Sequence, residues 1–159
     1  EQFEREIDQL LTLPPGRLIE FEDAWLFLHL LFESIWRYRF VYRDLNDLLS
    51  RNRRLEMHFR SIVARKQQVA HQLCAALADS RRLHAEAHEI EPLATNMVVV
   101  ATYWLSFEYV SNARQFNDPV FQNRAMARGA YQVLVLIAPY LSDEGRTLFT
   151  RLASEYLKD

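Results

Sequence analysis

Residues 54–80 read RLEMHFRSIVARKQQVAHQLCAALADS, and this stretch decides the fold class. Its apolar residues recur at spacings of three and four, which is the pattern of a helix that buries one face. Lys66 interrupts the apolar stripe, and Val69 lies at its edge. The stretch therefore predicts one long amphipathic helix. The stripe consists of Leu55, Phe59, Ile62, Val63, Ala70, Leu73, Cys74 and Leu77.

Helical patterns continue on both sides of this stretch. About seven helices and no convincing strand predict an all-α bundle. Residues 81–91 are polar and weakly patterned, which indicates a loop or a frayed helix. Residues 98–104 have a β-favouring composition, but they lie inside a longer pattern without turn residues and are interpreted as buried helix. The other predicted helices span residues 2–11, 19–37, 41–50, 92–115, 119–138 and 142–157.

Proline and short polar residues mark the predicted helix ends. The run Leu13-Pro-Pro-Gly16 ends the first helix. Pro92 suits the first turn of a new helix. Asp118 is predicted to cap the next helix with Pro119 in its first turn, and Ser142 opens the last one.

Residues 25–32, WLFLHLLF, are apolar almost all round. A helix with this pattern is usually buried on every side. The sequence therefore predicts that this helix lies at the centre of the bundle.

The composition is that of an ordinary soluble domain. The chain has 159 residues, of which 50% are hydrophobic and 25% are charged, and its net charge of -2 disfavours a nucleic-acid-binding surface. A single cysteine, Cys74, excludes an internal disulfide and fits a reducing cytoplasm. No stretch reaches the roughly 18 apolar residues of a membrane span. We therefore expect one cytoplasmic domain with no membrane contact.

Few residues form a pattern typical of catalysis or metal binding. His84 and His88 share one helix face, but a polar surface loop explains them better than zinc does. His71 lies three residues before Cys74, yet the stripe places the thiol in the core, where cysteine is usually inert. No phosphate loop, di-iron motif or catalytic triad is present in the sequence. The sequence predicts no enzyme, no cofactor and no metal site.

Three segments carry a resemblance to a known family. Residues 36–45, WRYRFVYRDL, and residues 128–141, RGAYQVLVLIAPYL, are similar to segments of one subgroup of TetR-like bacterial repressors. The aromatic run Tyr103-Trp104-Leu105 falls in a helix where that subgroup also carries aromatics. The likeness spans roughly residues 21–141, and the chain resembles the C-terminal regulatory half of such a repressor.

The resemblance implies a domain arrangement and partners. Residues 1–18 would be the end of a linking helix and a turn, and residues 19–159 one regulatory domain. The DNA-reading helix-turn-helix unit is not found in this sequence, so DNA contact is expected only through that unit. The family also implies a homodimer through a four-helix bundle and an unknown small-molecule effector. The interface is predicted to include Gly129, Gln132, Val133 and Leu136; internal packing is the alternative for Gly129.

Two clusters of aromatic residues suggest where the effector binds. Four residues of the 19–37 helix recur at spacings of four, three and four, and three more follow closely in the 92–115 helix. If these faces meet, their rings would leave a gap for a molecule with an apolar body and one polar end. Solid core packing of the rings is the alternative. The predicted ligand-binding residues are Trp25, His29, Phe32, Trp36, Tyr103, Trp104 and Phe107.

The sequence supports three functional hypotheses to different degrees. A ligand-sensing, dimerising regulatory domain comes first, a helical interaction bundle without a ligand second, and an enzyme third. Arg43 and Asp44 are either an exposed ion pair worth little or a polar latch that relays ligand binding. The sequence leaves these two readings of the pair open.

Overall fold

The computed structural model describes residues 2–12 and 20–154. Within these ranges the chain forms eight α-helices and one 3-10 turn, Ala138–Tyr140, and extended structure is limited to one isolated bridge between Leu83 and Leu141. The helices are α1 (Gln2–Leu10), α2 (Phe21–Arg37), α3 (Arg39–Arg43), α4 (Leu45–Arg51), α5 (Arg53–Asp79), α6 (Ala87–Asn112), α7 (Pro119–Val135) and α8 (Asp143–Ala153).

The all-α prediction is confirmed, with one helix more than expected. The predicted helix over residues 41–50 is two short helices, α3 and α4, because Asp44 lies outside helical geometry between them. The predicted end of the first helix at Leu13-Pro-Pro-Gly16 lies outside the described residues, as does the predicted end of the last helix at Leu157. The division of the chain at residue 18 also stays a prediction.

Helix α6 begins earlier than predicted. The expectation that Pro92 occupies its first turn is wrong, because the helix begins at Ala87. The backbone N–H of Glu86 donates to the Glu89 carboxylate at 2.8 Å. This contact closes the first turn before the proline is reached. Pro92 then lies inside the helix, where it removes one backbone donor.

The other predicted caps are present. The Asp118 carboxylate accepts from the N–H groups of Val120 at 2.8 Å and Phe121 at 3.0 Å, with Pro119 in the first turn. The Ser142 hydroxyl accepts from the N–H of Gly145 at 3.1 Å and starts α8. Both contacts satisfy N–H groups that lack partners within their helices.

Helix α6 is the centre of the packing. It packs against α5, α7 and α3, whereas α2 packs mainly against α7 and α1. The prediction that α2 is buried on every side is wrong, because Leu26 is 60% exposed and Leu30 is 42% exposed. Their spacing of four places both on one open face of α2. No helix of the described residues is both long enough and apolar enough to cross a membrane.

Candidate functional site

A small apolar cavity lies where five parts of the chain converge. Its volume is about 20 Å³, which is room for about one water molecule. The walls come from the end of α1 and from α2, α5, α6 and α7. The lining residues are Leu11, Phe27, Leu28, Leu31, Lys66, Ala70, Leu73, Met97, Val98, Ala101 and Val133.

Among the described residues of that wall, Lys66 is the one that carries a charge. It comes from the middle of α5, and only 3% of its surface is exposed. Its ammonium donates to the hydroxyl of Tyr42 at 3.2 Å and to that of Thr102 at 3.5 Å. The Nζ atom also lies 4.9 Å from the ring centroid of Tyr42 and 5.9 Å from that of Phe59. Side chains from α3, α5 and α6 therefore surround the amine.

Burial makes the charged form of this lysine costly. It lowers the pKa of Lys66 to about 7, because the apolar surroundings disfavour the ammonium. Among the described residues, no carboxylate forms an ion pair with Lys66. A buried charge without a counter-ion destabilises the fold, whereas an apolar side chain of similar volume would not.

Tyr42 ties the short helix α3 to this site. Its side chain is fully buried, which raises the pKa of its phenol, and its ring contacts that of Phe59 edge-on. The hydroxyl of Ser106 on α6 donates to the Tyr42 backbone carbonyl at 2.9 Å. The next residue, Arg43, pairs with Asp44 at 2.6 Å and lies over the ring of Tyr109. Lys66 is therefore in direct contact with α3 through Tyr42.

Helix α1 closes the cavity from another side. Leu11, directly after this helix, lines the cavity and is 3% exposed. Two surface ion pairs hold α1 in place: Glu6 with Arg37 of α2, and Asp8 with Arg65 of α5, each at 2.9 Å. Exposed pairs of this kind contribute little each. Buried apolar contacts are therefore the main attachment of α1.

The seven residues of the predicted aromatic pocket lie outside the lining of this cavity. On α6, Tyr103 is 45% exposed and Phe107 is 58% exposed, whereas Trp104 is half-buried and donates its Nε1–H to the carbonyl of Ala125 at 2.8 Å. Successive helical residues point about 100° apart, and Tyr103 and Trp104 accordingly differ in exposure. Whether any of the seven contacts an effector stays a prediction.

On α2 the predicted residues are mostly core. Trp25, Phe32 and Trp36 are buried, and His29 is half-buried with its pKa lowered by burial. The rings of Trp36 and Phe116 lie 5.1 Å apart. These contacts match solid packing, which was the alternative reading of the cluster.

Contacts within the protomer explain why a glycine occupies position 129. A methyl group at this position would lie 2.5 Å from Cε1 of Phe32 and 2.6 Å from Cδ1 of Trp104, so two rings occupy the space of a side chain. Val133 is also buried inside the protomer and lines the cavity. Gln132 is exposed and Leu136 is half-buried. The predicted dimer contacts of these four residues remain predictions.

Helix α6 also carries an open apolar face, which we call the outer stripe. Its members recur at spacings of four, four and three, and therefore share one side of the helix. Their exposed fractions run from 45% to 82%, although large apolar side chains on one face are normally covered. The outer stripe consists of Val99, Tyr103, Phe107 and Val110.

A polar cleft of about 630 Å³ separates the end of α6 from the start of α7. Its buried carboxylate, Glu108, accepts two hydrogen bonds from Arg128 at 3.0 and 3.1 Å. The charge of Glu108 is therefore paired within the fold. Elsewhere, burial raises the pKa of Cys74 to about 11, which keeps its thiol protonated. The described residues contain no cluster of three or more metal-ligating side chains.

Sequence reasoning missed Lys66 as a site residue. Its signal was present, because the lysine breaks the stripe of residues 54–80 at a position that faces inward. A lysine at such a position can also extend its charge to solvent along its flexible stem. Only the packing of α3 and α6 around Nζ distinguishes the two cases.

Comparisons with known proteins agree on one family. The sequence model described as "TetR: Bacterial transcriptional repressor" matches residues 2–149. A crystal structure of a TetR-family transcriptional regulator from Marinobacter aquaeolei VT8 is 29% identical and superposes with a TM-score of 0.84. That match covers 98% of this chain and 72% of the regulator. No curated protein matches the chain.

Proposed function

The chain belongs to the TetR family of bacterial transcriptional repressors, and on this premise we propose that it is the effector-sensing and dimerising part of such a regulator. It binds an apolar or amphipathic small molecule and passes the signal to a DNA-reading helix-turn-helix unit of the kind the family implies. The operator DNA is contacted by that unit. The protein acts in the cytoplasm as a homodimer.

One observation carries the sensing role: an apolar cavity with a buried amine in its wall. Ligand sites are mostly apolar, with a few polar groups that orient the ligand. Lys66 supplies such a group from the cavity lining, and its amine donates to the hydroxyls of Tyr42 and Thr102, which lie outside that lining. The surrounding wall supplies an apolar lining from five parts of the fold.

The size of the cavity explains how binding would be sensed. A space of about 20 Å³ cannot hold a drug-sized molecule, so a ligand must push the walls apart. One wall is Leu11, at the end of the segment that resembles the family's linking helix. The ligand would thus favour the arrangement in which α1 is displaced. Only such a difference in affinity between two arrangements can shift their populations.

The outer stripe supports the dimerising role. TetR-family regulators act as DNA-binding dimers, and α6 with α7 would supply two helices from each copy to a four-helix bundle. The apolar residues of the outer stripe would be covered by the same residues of the second copy. Gln132 and Leu136 of α7 extend this surface in the proposal.

Thermal unfolding tests the sensing role. A panel of apolar and amphipathic small molecules should include compounds that raise the melting temperature saturably, since a ligand at a hundred times its Kd stabilises the fold by about 2.7 kcal/mol. The control is Ala70→Leu, which fills the cavity from α5 and should abolish the rise. A panel without any saturable rise would move the assignment to a helical interaction bundle without a ligand.

A further inference from the structure

Lys66 is a cation whose partners within the fold are incomplete. An ammonium group has three donors. The described residues offer it two acceptors, the hydroxyls of Tyr42 and Thr102, and both are neutral. The aromatic rings of Tyr42 and Phe59 add a weaker attraction. No anion of the described chain balances the charge.

The surroundings of the amine contain few other ionisable groups. From α3 it meets the phenol of Tyr42, and from α6 the hydroxyl of Thr102, which does not titrate. Leu11, directly after α1, and helices α2 and α7 face the cavity with apolar side chains. Arg65, the preceding residue on α5, pairs with Asp8 at the surface. The buried carboxylate of α6, Glu108, is bound by Arg128.

The hydrogen bonds of the amine are made at the cost of burying its charge. A methionine would fill nearly the same volume on the buried face of α5 without the cost of a charge. A counter-charge brought to the amine would offset that cost. Because Lys66 lines the cavity, a molecule inside the cavity could supply that charge.

We propose that the effector of this regulator is an amphipathic carboxylic acid whose carboxylate pairs with the ammonium of Lys66. Its apolar chain would lie among side chains such as Leu28, Leu73 and Ala101. The inference rests on the proposed sensing role of the cavity and adds the chemical class of the ligand. A charge-assisted hydrogen bond from Nζ would be about twice as strong as one between neutral groups.

Proton uptake distinguishes this pairing from ordinary apolar binding. Burial lowers the pKa of Lys66 to about 7 in the free protein, so about one unit above that pH most of the amine is neutral. A bound carboxylate favours the ammonium form and raises this pKa. Binding at about pH 8 must therefore take up close to one proton for each ligand bound. Affinity should then fall as the pH rises above 7.

The first test uses octanoate and 1-octanol, which share a chain and differ in charge. Calorimetry at about pH 8, in two buffers of different ionisation enthalpy, measures affinity and proton uptake together. Octanoate should bind at least about tenfold more tightly than octanol, with proton uptake seen for octanoate alone. Equal affinities without proton uptake would overturn the inference and leave the sensing role standing. If neither compound binds, both proposals fall.

The second test replaces the amine. Lys66→Met should reduce the affinity for octanoate at least about tenfold and leave that for octanol within about twofold. The matched control is Arg60→Met, which removes a surface charge paired within the same helix and should change neither. Unchanged octanoate binding by folded Lys66→Met overturns the inference. If that variant does not fold, the proton uptake of the unaltered chain decides the question.

Discussion

Helix α6 has two apolar faces that differ in what covers them. The inner face places Met97, Val98 and Ala101 against α5, α2 and α7 around the cavity. The outer stripe is at least as apolar, yet it lies open. One helix therefore takes part in both proposed roles, ligand binding on one side and dimerisation on the other. The two faces should respond differently to substitution.

The largest effect is expected from charges on the outer stripe. Phe107→Asp combined with Val110→Asp would place two carboxylates in an apolar symmetric interface, opposite their own copies. We expect dimerisation to weaken by about a hundredfold or more, as measured by sedimentation equilibrium. The matched control is Met57→Asp, which alters an equally exposed apolar residue of α5 and should leave the dimer intact. An unchanged dimer dissociation constant in the double variant would show that the outer stripe is not the dimer interface.

Around the cavity, the pH dependence of stability should report the burial of Lys66 on α5. Its pKa lies near 7 in the folded chain and near 10.5 in the unfolded chain, so the unfolded state binds more protons between these values. The free energy of unfolding should rise with pH from about 7 to 9, by at most about 1.4 kcal/mol per pH unit. Above that range the raised pKa of Cys74 acts in the opposite direction.

Urea unfolding at several pH values tests this linkage. Lys66→Met should lose the rise with pH and be the more stable protein at about pH 6, by on the order of 1–4 kcal/mol. The same pH slope in the variant and the unaltered chain would show that Lys66 is not its source.

The sequence predicts Gly129 in the dimer interface, whereas in the structure it lies against two rings of its own protomer. Gly129→Ala should lower the free energy of unfolding by about 1–2 kcal/mol, since displacing Phe32 and Trp104 outweighs the better helix propensity of alanine. The dimer dissociation constant should stay unchanged. In a double-mutant cycle with Phe32→Leu, the two costs should not add. Weaker dimerisation with an unaltered free energy of unfolding would support the predicted place of Gly129 in the dimer interface.

The smallest effect concerns a single hydrogen bond between α6 and α7. Trp104→Phe removes the donor to the Ala125 carbonyl and keeps most of the ring. We expect a loss of about 1 kcal/mol in the free energy of unfolding and no change in dimerisation or octanoate binding. A loss of octanoate affinity in this variant would return Trp104 to the ligand site, as the aromatic pattern first predicted.

Periodicity and capping residues predicted most of the fold. The helix over residues 54–80 and the cap at Asp118 follow from local rules, since each depends on neighbours within one or two turns. The start of α6 did not follow, because Pro92 suggested a boundary and the Glu86–Glu89 contact placed it earlier. The break at Asp44 also left no clear signal in the apolar pattern.

The site was harder to predict because it depends on distant contacts. Tyr42 and Thr102 meet Lys66 only through the packing of three helices, and their sequence separations from it are 24 and 36 residues. The placement of the aromatic side chains was hard to predict for a related reason. Rings on an apolar helix can face the core or lie open, and α6 has both kinds. The apolar pattern alone therefore cannot assign Tyr103 and Trp104 to different sides.

The most direct test of the central claim is octanoate binding by Ala101→Leu, measured by calorimetry beside the dimer dissociation constant. Ala101 lines the cavity from the inner face of α6, and a leucine there would occupy the space. We expect Ala101→Leu to lose octanoate binding and to keep the dimer dissociation constant of the unaltered chain. Octanoate binding at the affinity of the unaltered chain would contradict it.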